Sequence, residues 1–164
     1  MTTIRRARFA ELDAATLYAL LRLRVDTFVV EQACAYPELD GRDVEPGACH
    51  WWADEQGAVL ACLRQLAEPD GAARIGRVAT APPARGRGLS TLLLQAVVDE
   101  ATGPLLLDAQ AHLVPWYQRF GFVISGQGFV EDGIPHMPMR REPPAAPMPG
   151  GPRHSTEGRP LGWR

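Results

Sequence analysis

A glycine-rich turn between a strand pattern and a helix pattern constrains the fold of this chain most strongly. Within the stretch Arg74 to Ala101, the turn Arg85 to Ser90 follows a β-type run and precedes an amphipathic helical pattern. Gly86 and Gly88 allow unusual backbone angles and a close approach to a ligand, and the helix begins with unpaired N–H groups and a partial positive charge. A strand, loop and helix of this kind predict an anion site, and the two arginines of the turn favour a pyrophosphate.

Two common pyrophosphate sites are disfavoured by residues that the chain lacks. It contains no lysine, so all 17 basic residues are arginine, whereas a P-loop needs a lysine on the terminal phosphates. Thr91 stands where a dinucleotide fingerprint has its third glycine, and three strand-like runs precede the turn. Phosphoryl transfer of the P-loop type and NAD binding are therefore both disfavoured.

Composition predicts one α/β domain without a metal. With 164 residues, 46% of them hydrophobic, the chain suffices for one core. The net charge of −2 and the lack of a long apolar run or signal-like N-terminus argue against nucleic acid and membrane partners and predict a cytoplasmic location. The three cysteines lack CxxC spacing and the four histidines lack an HExxH arrangement, so neither a disulfide framework nor a metal site is expected.

Hydrophobic periodicity predicts the order β, α, β, β, β, α, β, α, β, β in residues 1–142. The expected strands are 3–9, 50–53, 58–66, 73–80, 104–111, 122–127 and 133–140. The first helix is expected to start after Asp13 and continue past Phe28, and the last strand is expected at an edge because of Pro135 and Pro138. Residues 143–164, with six prolines, predict a disordered tail in which His154 and Trp163 are not site residues.

The stretch 34–46 lacks periodicity and collects three acids, Glu38, Asp40 and Asp43. Long loops in small domains often bind something or form a lid. Two interpretations remain open: a solvated turn around Asp40-Gly41, or a wall that attracts a cationic amine acceptor.

The turn resembles the acyl-coenzyme-A loop of the GCN5-related N-acetyltransferases (GNAT family). That loop has Gln or Arg, two residues, Gly, one residue, then Gly or Ala; Arg85, Gly88 and Ser90 take these places, and Ser90 departs by adding a hydroxymethyl group. An ordinary arginine-rich surface turn is the alternative. Further stretches, FVVEQACAY, LDGRD, DAQAHLVPWYQRFGF and EDGIPHMPM, are similar in order to the ElaA-like branch, over nearly all of residues 17–142.

The resemblance implies a fold and an activity. The implied fold is the α/β GNAT acyl-CoA N-acyltransferase fold, a mixed, mostly antiparallel sheet of six to seven strands with helices on both faces, in which the strands beside the coenzyme helix splay apart. The implied activity is direct transfer of an acetyl group from acetyl-CoA to a primary amine of a small molecule or peptide. A non-catalytic acyl-CoA-binding or regulatory module remains the alternative, and either a monomer or a homodimer is compatible.

The resemblance also implies residue roles. Tyr117 would be the general acid for the departing thiolate, or else a core aromatic beside Trp116 and Phe120. Glu31, His112 and His50 are the candidates for a general base, with none preferred. The coenzyme would be bound by Val78, Ala79, Thr80, Arg85, Gly86, Arg87, Gly88, Leu89 and Ser90. The acceptor would be bound by Arg24, Gln32, Asp40, His50, Gln110, Asp132 and His136, with the turn from Glu131 to His136 forming part of its wall or simply a hairpin turn.

Overall fold

The computed structural model describes residues 1–144, which fold around one mixed sheet. Its strands are β1 Thr3–Arg8, β2 Cys49–Glu55, β3 Ala58–Ala67, β4 Ala73–Thr80, β5 Leu105–Gln110, β6 Val123–Ile124, β7 Phe129–Glu131 and β8 Ile134–Arg141. The helices are α1 Ala14–Val25, α2 Leu89–Glu100 and α3 Val114–Gln118. Residues 145–164, which include His154, Trp163 and most of the predicted tail, lie outside the described residues.

The sheet has the order β1-β2-β3-β4-β5-β8-β6, and β7 also pairs with β8. All neighbours are antiparallel except β4 and β5, which confirms the predicted mixed and mostly antiparallel sheet. The eight strands exceed the predicted six to seven, because the expected strand 122–127 shortens to β6 and a separate short strand, β7, follows it. None of the helices in residues 1–144 is long and apolar enough to span a bilayer.

Strand β8 is not the edge strand that its two prolines predicted. It pairs with β5 on one side and with β6 and β7 on the other. Pro135 lies beyond the last β5 pair, Gln110 with His136. Pro138 lies between the β6 and β7 pairings, and its carbonyl accepts a hydrogen bond from the Ser125 amide. Each proline therefore stands where the ladder does not need its missing N–H.

Adjacent residues of β2 pack on opposite faces of the sheet, as the two-residue period of a strand requires. Trp51 joins the core under α2, with Leu93 and Leu94 fully buried. Trp52 joins a second core under α1, with Leu20 and Leu23. The predicted helices on both faces are thus confirmed.

Helix α1 begins at its predicted cap, where the Asp13 carboxylate accepts the Thr16 amide at 2.9 Å. Its last part differs from the expected continuous helix, because Asp26–Glu31 form a widened π-helical turn. Such turns insert an extra residue and often occur at functional sites. The stretch 32–48 follows this turn and leads to β2.

Arg24, in the last turn of α1, is the charged group that fixes this stretch. It is 2% exposed. Its Nε lies 2.6 Å from Glu38 Oε1, and its Nη1 lies 2.6 Å from Asp43 Oδ1. The loop acids Glu38 and Asp43 are themselves buried, so their carboxylates are structural ion-pair partners and neither a solvated turn nor an open wall.

Replacing Arg24 by leucine is expected to lower the free energy of unfolding by about 3–5 kcal/mol, because Glu38 and Asp43 would remain buried without their partner. Arg22→Ala is the matched control on the same helix, since Arg22 forms only an exposed pair with Asp26. That variant is expected to lose less than about 1 kcal/mol. Urea denaturation measures both values, and equal losses would contradict the structural role of Arg24.

Candidate functional site

The two parallel strands of the sheet separate almost as soon as they meet. Strands β4 and β5 pair only through Ala73 with Leu105 and Arg74 with Leu106. Beyond these pairs a cavity of about 1000 Å³ opens between them. Residues 75–80 of β4 form one side, Leu107, Asp108 and Gln110 of β5 form the other, and Trp116 and Tyr117 of α3 also line it.

Strand β4 contains a bulge beside this gap. The register of β3 and β4 shifts between Cys62 and Arg64, and Arg77 adopts a left-handed backbone with φ of 56°. A left-handed conformation is costly for a residue with a side chain. The Arg77 side chain is held by several contacts: its Nε is 2.7 Å from Glu38 Oε2 and its guanidinium lies over the Tyr36 ring.

The bulge leaves one edge of β4 free toward the cavity. The Ala81 amide donates to Leu60 of β3 at 2.8 Å. Because backbone groups alternate along a strand, the amides of Val78 and Thr80 face the other edge, where β5 has moved away. These unpaired donors can bind the carbonyl groups of a ligand in the gap. The expectation that the strands beside the coenzyme helix splay apart is confirmed for β4 and β5.

The glycine-rich turn encloses a second, smaller cavity of about 330 Å³. Gly86 and Gly88 have φ of 78° and 74°, the left-handed region that favours glycine, and Gly88 caps α2. Thr80, Arg85, Ser90 and Trp116 line both cavities. The Ser90 hydroxyl lies 2.6 Å from that of Thr80, so the side chain that departs from the family pattern is turned onto the end of β4.

The two arginines of the turn point in different directions. Arg85 Nη2 lies 2.7 Å from Glu31 Oε2, and its Nε donates to the Thr80 carbonyl at 3.2 Å. Arg87 instead pairs with Glu55 at 3.0 Å and lines neither cavity. The Arg87 side chain is thus directed to the end of β2 in this conformation, and its contact with the coenzyme stays a prediction.

Glu31 does not occupy the position predicted for a catalytic base. Its carboxylate is exposed beside the glycine-rich turn and lines neither cavity. The hydrogen bond from Arg85 lowers the pKa of Glu31, which makes the carboxylate a weaker base. Glu31 thus orients the Arg85 side chain beside the glycine-rich turn.

Tyr117 is a core aromatic residue that also lies at the wall of the large cavity. It is 6% exposed and packs edge-on against Trp116 and Phe122, with ring centroids 4.7 and 6.0 Å away. It also lines the large cavity. Burial raises the pKa of Tyr117 to about 12, so the phenol keeps its proton near neutral pH.

One part of the large cavity, formed by residues of β5, the 111–113 turn and the β7–β8 hairpin, is polar. Gln110 Nε2 of β5 donates to Gln32 Oε1, just after the π-helical turn, at 3.4 Å. His112, Asp132 and His136 also line this part, the polar end of the cavity, and His112 and Asp132 are exposed. The predicted acceptor residues Gln32, Gln110, Asp132 and His136 thus share one surface.

Arg24 and His50 do not belong to this surface. Both are buried outside the cavity lining, and His50 Nε2 contacts the Asp43 carbonyl at 3.2 Å. Burial lowers the pKa of His50. Their predicted contact with the acceptor, and the candidacy of His50 as the base, are therefore corrected to a structural role beneath the loop.

Asp40 does line the cavity, but its charge is already paired. Both of its oxygens accept from Arg64 at 2.8 Å, and Arg77 Nη2 lies 3.3 Å away. Burial raises the pKa of Asp40, but the Arg64 hydrogen bonds outweigh it and the net pKa lies below the ordinary range. Asp40 therefore serves as an anchor for the loop in this conformation.

Four charged strand residues of the cavity lining were not predicted from the sequence. Arg64, Arg74, Arg77 and Asp108 are charged residues inside strands, and all of them reach the cavity. Asp108 interrupts the apolar run of β5, and its Oδ2 lies 3.1 Å from Arg74 Nη1. A charge within a strand pattern is the signal that identifies such positions. No group of three or more His, Cys, Asp or Glu side chains within residues 1–144 is arranged to hold a metal ion.

A splayed parallel pair, a bulged strand and a glycine turn before a helix define the fold of acyl-CoA N-acyltransferases. The model of the acetyltransferase (GNAT) domain matches residues 19–143. The chain therefore belongs to the GNAT acetyltransferase family, in the branch that contains ElaA and the UPF0039 proteins. Membership supports acyl transfer as its general chemistry.

Relatives at substantial identity support this placement. The UPF0039 protein Rv2851c of Mycobacterium tuberculosis is 48% identical over 143 residues, which cover 84% of this chain and 92% of the relative. The crystal structure of Escherichia coli ElaA has a TM-score of 0.80 at 35% identity and covers 87% of this chain and 100% of that one. An acyl-CoA N-acyltransferase from Pseudomonas aeruginosa has a TM-score of 0.79 at 42% identity, with coverage of 86% and 99%.

The paired state of Asp40 predicts a pH dependence of stability. Because its folded pKa lies below the unfolded value of ~3.9, Asp40 stabilises the protein above about pH 4, and this contribution is lost as the pH falls. Asp40→Asn is expected to be less stable than wild type near pH 7, with the difference shrinking below about pH 4. Asp99→Asn, an exposed change on α2, is the control, and urea denaturation across this pH range measures all three proteins. A difference between Asp40→Asn and wild type that stays constant with pH would contradict the ion pairing.

Proposed function

We propose that the protein transfers an acetyl group from acetyl-CoA directly to a primary amine of a small molecule or peptide. The observation that carries this proposal is the meeting of Tyr117 and the unpaired β4 edge in one cavity between parted strands. The reaction forms a nitrogen–carbon bond and breaks the carbon–sulfur bond of the thioester. It needs donors for the carbonyl oxygen, a proton for the departing thiolate and a neutral amine.

The turn supports binding of the coenzyme. Backbone N–H groups at the start of α2 and the left-handed glycines suit a pyrophosphate, and the small cavity there joins the large one through shared lining residues. The Arg85–Glu31 pair is exposed, and exposed pairs contribute only about 0–1 kcal/mol. A phosphate can therefore replace Glu31 on Arg85. From the turn, the edge of β4 leads along the gap, where Val78 and Thr80 amides would bind the acyl end.

Tyr117 would act as the general acid. In water a phenol is a weaker acid than a thiol, with reference pKa values of ~10 and ~8.5. The burial that raises the pKa of Tyr117 to about 12 disfavours a thiolate in the same cavity, since burial penalises any anion. A thiolate that leaves in this cavity is therefore a stronger base than in water, which offsets part of the raised pKa of the phenol.

The charges on the cavity wall support a cationic acceptor. The lining arginines are Arg42, Arg64, Arg74, Arg77 and Arg85, and each is paired with a carboxylate. Glu131 and Asp132 have no ion-pair partner among residues 1–144, and they border the polar end of the cavity. The unbalanced charge there is negative, which favours an amine in its protonated form.

Tyr117→Phe is expected to lower turnover by about 10²-fold or more, the scale of lost general-acid catalysis, while the KM for acetyl-CoA changes little. Release of free thiol from acetyl-CoA across a panel of amines measures this. Phe122→Leu, a change in a ring that packs against Tyr117 but lines neither cavity, controls for packing. Unchanged turnover in Tyr117→Phe would refute the acid role, and tight acetyl-CoA binding without transfer to any amine would favour the non-catalytic binding module.

Gly88→Ala is expected to weaken acetyl-CoA binding at least tenfold, because a methyl group would stand where the turn's backbone approaches phosphate. Gly71→Ala is the matched control: Gly71 has φ of 83°, Gly88 has 74°, and neither has an atom within 4 Å of an added Cβ. Both changes should cost roughly 1–2 kcal/mol of stability through backbone strain. Thermal shift with acetyl-CoA, ATP and NAD measures the difference, and an equal loss of the acetyl-CoA shift in both variants, or a larger shift with ATP or NAD, would contradict the assignment.

A further inference from the structure

Two histidines line the large cavity, His112 and His136, and only His136 has a hydrogen bond and a stacked ring among residues 1–144. We infer that His136 is the general base that removes a proton from the acceptor amine, an inference that rests on the proposed function. His136 lies on β8 opposite Gln110 of β5, so both side chains lie on the same face of the sheet. That face carries the polar end of the cavity, where Gln110 meets Gln32.

The hydrogen bonding of His136 leaves one ring nitrogen available. Nδ1 lies 2.8 Å from the carbonyl oxygen of Ile134. A carbonyl only accepts, so Nδ1 must carry the proton, and the neutral ring then has its lone pair on Nε2. Within residues 1–144 Nε2 has no hydrogen-bond partner. The structure thus holds this histidine in the tautomer that a base requires.

The ring plane of His136 is fixed as well. Phe129 of β7 stacks on it, with ring centroids 5.5 Å apart and an angle of 14° between the planes. The hairpin of β7 and β8 supplies both restraints, the Phe129 ring from β7 and the Ile134 carbonyl from the start of β8. A base held in one orientation before the substrate arrives needs little reorganisation during the reaction.

The other candidates for the base lack one of these properties. Glu31 pairs with Arg85 outside the cavity, and His50 is buried beneath the loop. His112 lines the cavity, but it is exposed and no side-chain hydrogen bond among residues 1–144 orients it. Since proton transfer depends on position first and on pKa second, His136 is preferred.

The proton path balances as follows. His136 Nε2 takes a proton from the acceptor ammonium group, and the neutral amine then attacks the thioester carbonyl. As the carbon–sulfur bond breaks, the electron pair leaves with sulfur, and Tyr117 donates its proton to the thiolate. The attacking nitrogen loses its second proton as it becomes an amide, and that proton restores the Tyr117 phenol through water. The imidazolium of His136 returns its proton to water. Only about one part in 2,500 of a primary amine with a reference pKa of ~10.4 is neutral at pH 7. A base that removes the proton can therefore increase the reactive form of the amine greatly.

The charged neighbours of His136 favour this role. The titratable groups on the elements around it are Cys34 of the loop, Asp108 of β5, His112 after β5, Glu131 of β7 and Asp132 of the turn. The Asp108 carboxylate is paired with Arg74. The Glu131 and Asp132 carboxylates have no ion-pair partner among residues 1–144, so their field favours an ammonium group close to His136.

The test compares His136→Asn with His112→Asn, using an amine that the wild-type protein acetylates. The asparagine amide can still donate to the Ile134 carbonyl in place of Nδ1, but it cannot accept a proton. At pH 7 its kcat/KM is expected to fall by about 10²-fold or more. The ratio of wild-type to variant kcat/KM should fall about tenfold for each pH unit toward pH 9, because the fraction of neutral amine in solution rises about tenfold per pH unit. His112→Asn is expected to keep the wild-type pH profile.

A second measurement keeps the inference testable if His136→Asn folds poorly. The nitrogen-15 NMR signals of His136 in the wild-type protein, above the pH at which its ring becomes neutral, should show the Nδ1-protonated tautomer. Protonation on Nε2 would overturn the inference, as would a His136→Asn variant with a wild-type rate and pH profile. No thiol release from wild-type protein with any amine would instead overturn the proposed function, and the base role with it.

Discussion

The separation of β4 from β5 is the constraint on which the site depends. A parallel pair would normally continue its ladder, because unpaired backbone groups inside a protein are costly. Here the ladder ends after two residue pairs, and an ion pair between Arg74 and Asp108 stands at the point where the strands part. Aromatic residues of α3 line the gap. Because β5 has moved away, the backbone donors of β4 face a cavity. An extended acyl-coenzyme A arm is a ligand that can satisfy such a row.

The loop over the cavity is held by a network of buried charges. Arg24 of α1, Arg64 of β3 and Arg77 of β4 all bind carboxylates of the stretch 38–43. A buried ion pair contributes little net stability compared with apolar packing, but removal of one partner is strongly destabilising. The network therefore fixes the position of the loop relative to the sheet. Because Arg77 is also the left-handed residue of the bulge, the same contacts connect the loop to the backbone that faces the ligand.

Local patterns predicted the elements whose causes are local. The bounds of β4, the start of α2 at the glycine turn and the Asp13 cap all follow from short stretches of sequence, and each is found in the structure. The place of Tyr117 beside the cavity came from a motif. These features needed no knowledge of distant contacts, because glycine, proline and capping residues act on their own backbone.

The partners of charged side chains were not predictable in this way. Glu31, Arg87 and Arg24 carry charges that any of several distant residues could pair with, and only the folded chain brings Arg85, Glu55 and Glu38 to them. Periodicity reports which face a residue occupies but not what lies across from it. The tautomer and the ring orientation of His136 could not be predicted for the same reason, since the first depends on a carbonyl at the start of β8 and the second on a ring of β7.

The most direct test of the central claim is a proton–nitrogen NMR titration of the full chain with a non-hydrolysable acetyl-CoA analogue. The amides of Val78, Thr80, Gly86 and Gly88 are expected to shift on binding, because they line the edge of β4 and the turn. Amides of β1 and of the β2–β3 turn should stay unchanged. Binding that leaves the Val78 and Thr80 amides unaffected would contradict a coenzyme arm between the parted strands.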